Sequence, residues 1–247
     1  MTSHNEQFKS EALRIIAVAE ENKTPVRLLG GMAIYISSPC TLREPYTRDL
    51  YDLDFVVAKK KSYPLEKLLE KIGFEGDHEF NSIHGEYRLL FHSELMELDI
   101  FVGDFIQCHS VNLEKYFNST KLTIPLAILL LTKLQVVQIN KKDVLDILAL
   151  LHDHEVLVDG DPNEVISLKE LNAILSDDWG WYTTCTDNLD KIQQFVLEFI
   201  NDPDKPMLLD KIDLIRSHAQ SSKKSLKWTV RSKVGRKVQW YELPEEK

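Results

Sequence analysis

The sequence is poor in cysteine, glycine and proline. Its three cysteines, Cys40, Cys108 and Cys185, lie far apart in 247 residues and form no Cys-x-x-Cys pair. That excludes a disulfide framework and a thiolate zinc site, and it fits buried apolar thiols in a reducing compartment. Nine glycines and nine prolines exclude collagen-like and low-complexity disordered chains. No apolar run approaches the ~20 residues that span a bilayer; the longest, Ile124 to Leu131, stops at Thr132-Lys133. The opening Met-Thr-Ser-His-Asn-Glu-Gln has no basic stretch leading into an apolar one, so no signal peptide is expected. A general excess of positive charge is missing as well, because the net charge is −9. Any contact with nucleic acid must then be a local basic patch. The expectation is a soluble, cytoplasmic protein with no membrane partner.

The composition that remains, 43% hydrophobic and 28% charged, suits one large domain or two small ones. Ala12, Ile15, Ile16 and Ala19 recur at helical spacing within Glu6–Glu21, and Asn22 with Pro25 ends that helix. Val26–Leu29 reads as a short strand broken by Gly30-Gly31, and Met32–Ser37 as a brief helix. After a polar loop, Leu53–Val57 is β-branched and aromatic, a strand pattern. A helix from Pro64 to about Ile72, with Gly73 as C-cap, precedes strands at Tyr87–Phe91 and Glu97–Val102. The alternation predicts an α/β (α+β) core with a mixed sheet over residues 1–110. Beyond it the periodicity turns helical at Pro125–Gln138, Asp143–Leu151, Asn163–Leu175, Leu189–Ile200 and Lys205–Ala219. We therefore expect an all-helical domain at 111–222 and a basic segment at 223–247.

The chemistry concentrates in Arg48-Asp49-Leu50-Tyr51-Asp52-Leu53-Asp54-Phe55-Val56-Val57. Positions i and i+2 of a strand share a face, so Asp52 and Asp54 project together while Leu53 and Phe55 point to the core. Like charges held that close repel unless a cation lies between them, and hard oxygen donors favour Mg²⁺ or Mn²⁺. Asp99 lies within another apolar strand and completes a three-carboxylate cluster if the two strands pair. Glu97 shares its face and is the alternative third carboxylate. Acidic residues at strand starts are also commonly just solvated. Upstream, Leu28-Leu29-Gly30-Gly31 forms a strand–Gly-Gly–helix junction, which is either a tight turn or a backbone cradle for phosphate.

Taken in order, these motifs resemble the nucleotidyltransferase superfamily with the DNA polymerase β-like fold. That superfamily joins a hydrophobic-Gly-[Gly/Ser] turn and short helix to Asp-x-Asp on a strand and a third carboxylate on a later one. The resemblance extends to its AbiEii-type branch, known mainly as toxins of toxin–antitoxin systems. Arg48 stands four residues before Asp52, as in that branch, and Lys133-Leu134 and Lys142-Asp143-Val144-Leu145-Asp146 match its later motifs. Gly31 stands where many members carry serine. Gln138, Ile139 and Asn140 occupy the region where an arginine is often found.

The resemblance implies a nucleotidyltransferase core followed by helices, and transfer of NMP from an NTP to an acceptor hydroxyl with release of pyrophosphate. Asp52 and Asp54 would hold the Mg²⁺ or Mn²⁺ that binds the triphosphate, and Asp99 would join them on a second such ion and help deprotonate the acceptor, in the two-metal scheme for in-line displacement. Gly30 and Gly31 would hold the β- and γ-phosphates, and Lys133 would neutralise triphosphate charge. Arg48 would clamp a phosphate, or pair with Asp49 or Glu44 and shape the loop. Asp143 is a catalytic candidate that also stands where an N-cap belongs, and Asp146 falls in the first helical turn. Lys133 would alternatively snorkel to solvent. The implied partners are an NTP, an RNA acceptor (tRNA among the candidates) and a cognate antitoxin. Two other readings keep the fold: a catalytically silent member that binds nucleotide or a partner, and a kinase acting at the γ-phosphate.

Three features lie outside that site. His152-x-His154 lacks companion ligands and reads as surface, and Trp179 and Trp181 read as core between helices. Residues 223–237 hold seven basic residues and no acidic one: Lys223, Lys224, Lys227, Arg231, Lys233, Arg236 and Lys237. On a helix, Lys223, Lys227 and Arg231 would align at i, i+4, i+8, with Leu226, Val230 and Val234 on another face. Such a face is either solvated or a site for an RNA acceptor, with Trp228 and Trp240 nearby.

Overall fold

The computed structural model describes residues 2–117, 120, 122–200 and 203–243. They form two compact units: Met1–Leu42 with Arg48–Ile106 and Ser110–Pro125, and Arg43–Thr47 with Gln107–His109 and Leu126–Lys247.

The first unit opens with helix α1 (Thr2–Glu21), whose buried stripe is Phe8, Ala12, Ile15, Ile16 and Ala19. Strand β1 (Val26–Leu29) runs straight into α2 (Gly30–Ser37). Next come β2 (Asp52–Val57), α3 (Ser62–Lys71), β3 (Glu75–Gly76), α4 (His78–His84), β4 (Arg88–His92) and β5 (Glu97–Val102). A hairpin of β6 (Asp104–Ile106) and β7 (Ser110–Asn112) follows. The main sheet has the order β1-β2-β5-β4-β3. It is mixed: β2 and β5 are parallel, and the other neighbours are antiparallel. Parallel pairing of β2 and β5 needs a long crossover, which here contains α3, β3, α4 and β4. Residues Phe55, Val56 and Val57 are all buried, so the C-terminal half of β2 is covered on both faces.

Helix α4 fills a stretch in which the sequence predicted no element. Asp77 caps it by accepting a hydrogen bond from the Phe80 amide at 2.9 Å. Asn81 then binds β4 as a strand would: its Nδ2 donates to Leu90 O at 3.0 Å, and its Oδ1 accepts from Leu90 N at 2.7 Å. Side-chain amides can satisfy backbone groups in this way where the neighbouring strand is too short to do so.

The second unit is built on α5 (Leu126–Leu134) and α6 (Lys141–Asp153). Leu126 to Leu131 are all buried, the pattern of a helix enclosed on every side. Strands β8 (Glu155–Leu157) and β9 (Val165–Ser167) pair in parallel. Helices α7 (Leu168–Leu175), α8 (Trp179–Phe199), α9 (Lys205–Ser221) and α10 (Leu226–Val234) complete the unit. The helical region is present as expected, with two departures. The β8/β9 pair interrupts it, and Val165–Ser167 is strand where a helix from Asn163 was expected. Three-residue strands are too short to display a period-2 pattern. No helix among the described residues is long and apolar enough to cross a membrane. All three cysteines are buried and unbridged, and burial pushes the Cys185 thiol far up.

Candidate functional site

The site begins with a register. Asp52 lies opposite Glu97 and Asp54 opposite Asp99 on the parallel neighbours β2 and β5. Residues paired across a sheet share a face, so the four carboxylates form a block on one side. The intervening Leu53, Phe55, Leu98 and Ile100 are at most 1% exposed on the other. Asp52 and Glu97 are exposed, Asp54 is half-buried, and Asp99 is 3% exposed.

The glycine junction closes on this block. Leu29 pairs with Asp54 across the antiparallel β1/β2 ladder, and Gly30 follows with φ +66°. A Cβ on Gly30 would overlap the Asp54 carboxylate, so a glycine is required both for the backbone and for the space. A Cβ on Gly31 would meet the Arg48 guanidinium and come within 2.8 Å of Leu50 Cδ2. Leu29, the residue before the helix, supplies no side-chain cap to α2. The amides of the first turn therefore lack the usual capping oxygen.

Arg48 is positioned through its backbone by α1: Asn5 Nδ2 donates to Arg48 O at 2.8 Å, and Leu50 N donates to Asn5 Oδ1 at 3.1 Å. Its Nη1 donates to Asp49 O at 3.2 Å. Arg48 is thus held beside Gly31 and touches the Asp49 backbone.

Sequence reasoning missed Arg88. Its Nε donates to Asp99 Oδ1 at 2.8 Å and its Nη2 to Asp99 Oδ2 at 2.5 Å, a two-pronged pair that suits a planar guanidinium. The two side chains are 11% and 5% exposed. The Arg88 guanidinium packs over the rings of Phe80 and Phe101 at 5.7 and 5.6 Å. Its pKa is pushed up by the hydrogen bonds to Asp99, against the opposing effect of burial, with the charge of Asp54 adding to the rise. The one available signal was an arginine in the strand that the chain delivers next to Asp99, inside the apolar run Tyr87–Phe91. A cation buried there needs a counter-ion.

The donor set can be tested against a divalent ion. Asp52 and Asp54 offer hard oxygens on one face, beside a cradle that the smallest side chain would fill, and these fit Mg²⁺ or Mn²⁺. Both oxygens of Asp99 accept from Arg88.

Lys133 and Asp143 belong to the second unit. Lys133 Nζ lies 3.2 Å from Asp143 Oδ1 and 2.9 Å from Asp146 Oδ2, with the three side chains 16%, 12% and 6% exposed. Lys133 is therefore not snorkelling to solvent; it is the shared counter-ion of two nearly buried carboxylates. Asp143 is not the N-cap of α6 either. Asn140 is, accepting from Lys142 N at 2.8 Å and Asp143 N at 3.2 Å. The helix begins at Lys141, two residues before the start at Asp143 that its apolar pattern indicates.

The basic segment also differs in detail. Ser225 caps α10 by accepting from Trp228 N, so Lys223 precedes the helix and does not align with Lys227 and Arg231. Lys227 Nζ lies 3.4 Å from Asp178 Oδ2. Arg231 donates to Gly235 O and Val238 O at 2.8 Å and lies over Trp179 at 4.8 Å. Arg236 makes a two-pronged pair with Asp187 at 2.7 and 2.8 Å. Several of these cations thus bind α8 or their own segment, and the apolar Leu226, Val230 and Val234 are exposed.

Trp181 is buried, as expected, and Trp179 is half-buried. His152 is not simply surface: it lies between Asp153 and Asp204, at 2.6 and 2.9 Å.

No known protein family's sequence profile matches the chain, and no curated protein matches it. Among solved structures it is similar to ANT(2")-Ia in complex with adenylyl-2"-tobramycin, at 15% identity and TM-score 0.42, over 59% of this chain and 88% of that one. It is also similar to an antigenic nucleotidyltransferase-like protein from Paracoccidioides brasiliensis, at 14% identity and TM-score 0.45, over 89% of this chain and 95% of that one. At these identities and scores neither likeness assigns a role to any residue.

Proposed function

We propose that the protein is a divalent-metal-dependent nucleotidyltransferase. One observation carries the reading: the in-register carboxylates of β2 and β5 lie beside a glycine junction packed on Asp54. In the reaction, an acceptor hydroxyl oxygen bonds to the α-phosphorus of an NTP. The α–β phosphoanhydride bond breaks, pyrophosphate leaves, and the hydroxyl proton is released. Asp52 and Asp54 would hold the ion, Mg²⁺ or Mn²⁺. When bound, that ion would neutralise phosphate charge and favour in-line displacement.

The chain's own residues do the positioning. Gly30 and Gly31 offer backbone amides at the uncapped start of α2, where the helix dipole favours phosphate. Arg48, carried beside Gly31, adds a guanidinium for a phosphate oxygen. Lys133, Asp143 and Asp146 balance one another's charge within the helical unit. The finer reading, an AbiEii-like toxin with an RNA acceptor, rests on Arg48 before Asp52, the Lys133-Leu134 and Lys142–Asp146 motifs, and the 223–237 segment.

NTPs labelled at the α- or γ-phosphate, incubated with Mg²⁺ and total RNA, test the reading with Asp52→Asn as control. Label moving from the α-position in wild type alone is the expected result. Movement from the γ-position alone would make the protein a kinase, and an Asp52→Asn variant as fast as wild type would remove Asp52 from the chemistry. The engagement of both Asp99 oxygens by Arg88 favours a second reading, a silent nucleotide-binding member. Its mark would be tight NTP binding with no transfer of either label.

A further inference from the structure

We infer that Arg88 takes the place of a second cation at this site, so that the protein binds one divalent ion, through Asp52 and Asp54, with Asp99 held out of coordination. The inference rests on the reading of Asp52 and Asp54 as metal ligands, and it departs from the scheme in which a third carboxylate carries a second ion.

Three observations support it. Asp99 lies directly across the β2/β5 ladder from Asp54, where a third ligand would be wanted, yet Arg88 engages both its oxygens. Arg88 is also fixed in place. Its guanidinium packs over Phe80 and Phe101, and Phe80 is itself positioned by the Asp77 cap and the Asn81–Leu90 hydrogen bonds. A guanidinium does not deprotonate in proteins, so Arg88 keeps its positive charge. Finally, the charge of Asp99 is already balanced. A second dication beside it would meet a fixed positive neighbour in a poorly solvated place, where repulsion is strongest. The buried pair thus does the work of a resident cation and relieves the repulsion between the Asp54 and Asp99 carboxylates before any metal arrives.

Titration of the full chain with Mn²⁺ alone, counting free ion by electron paramagnetic resonance, tests this without reference to turnover. Wild type should take up one ion. Asp52→Asn should bind at least about tenfold more weakly, whereas the paired Arg88→Gln/Asp99→Asn variant, which removes both charges of the clamp, should stay within about twofold of wild type with unchanged stoichiometry. Two ions in wild type, or a loss in the paired variant as large as that of Asp52→Asn, would overturn the inference.

Arg88→Gln alone provides an independent check if the paired variant folds poorly. Removing the guanidinium charge should admit a second Mn²⁺ and give a larger Mn²⁺-induced rise in Tm than wild type shows. An unchanged count and an unchanged rise would equally overturn the role of Arg88. No Mn²⁺ uptake by wild type would instead overturn the reading of Asp52 and Asp54 as ligands, and this inference with it.

Discussion

Replacing Gly30 by alanine probes the candidate site where it is most tightly packed. Gly30 adopts φ +66°, and an L-residue in the left-handed region costs about 1–2 kcal/mol. The added Cβ would overlap the Asp54 carboxylate and lie 3.0 Å from the Asp54 Cβ. Asp54 or the start of α2 must then shift, and overpacking of this kind costs about 1–3 kcal/mol. Relaxation is shared between the two effects, so the expected loss is about 2–4 kcal/mol. For a chain of this size that lowers Tm by about 4–16 °C. Gly31→Ala is the matched control, because its Cβ would meet the far end of the long Arg48 side chain and Leu50 Cδ2 at 2.8 Å, with no positive φ to strain. Its loss should be about 1 kcal/mol. Scanning calorimetry of both variants, with and without Mn²⁺, separates the effects: Gly30→Ala should melt lower and lose most of its Mn²⁺ response. A Gly30→Ala protein melting within about 1 °C of wild type, with its Mn²⁺ response intact, would show that the junction does not pack on Asp54.

Three other substitutions address the helical unit. Burial lowers the pKa of His109 from 6.5 to about 4, with the charge of Asp178 opposing the shift. Above pH 6.5 the group is neutral in both states and contributes nothing to the pH dependence. Below it the unfolded chain takes up a proton that the folded chain refuses, so stability falls by about 1.4 kcal/mol per pH unit until about pH 4. Urea unfolding between pH 7.5 and 4.5 should therefore show a shallower acid loss for His109→Gln than for wild type, and parallel curves would contradict the burial argument. At α6, Asn140→Ala should cost about 1 kcal/mol through the lost cap. Lys133→Met should cost about 3–5 kcal/mol, because Asp143 and Asp146 lose their shared counter-ion. If the two unfolding midpoints ranked the other way, Lys133 would not be that counter-ion.

Much of the architecture was legible because local patterns carry it. The buried stripe of α1, the all-apolar α5 and the β-branched run of β2 each follow from side chains a few positions apart. The elements that escaped were short or depended on distant partners. Helix α4 spans His78–His84 and is pinned by Asn81 to Leu90, a contact that no periodicity announces. Strands β8 and β9 have three residues each, and their pairing joins segments separated by a loop. At α6 the cap fell on Asn140 because a helix extends outward from its apolar face until an acceptor closes its first amides.

The candidate site divides along the same line. The sequence alone determined that Asp52 and Asp54 share a strand face and that two glycines separate β1 from α2, because spacing along one strand and the absence of a Cβ are local properties. Only the tertiary structure decided that Asp54 stands opposite Asp99 and that Gly30 packs on the Asp54 carboxylate. It also decided that Arg88 closes on both oxygens of Asp99. Backbone hydrogen bonds are the same for every side chain, and a one-residue slip would turn Asp99 to the other face. The register had to come from how the whole sheet buries Leu53, Phe55, Leu98 and Ile100, and with it came the cation that balances Asp99.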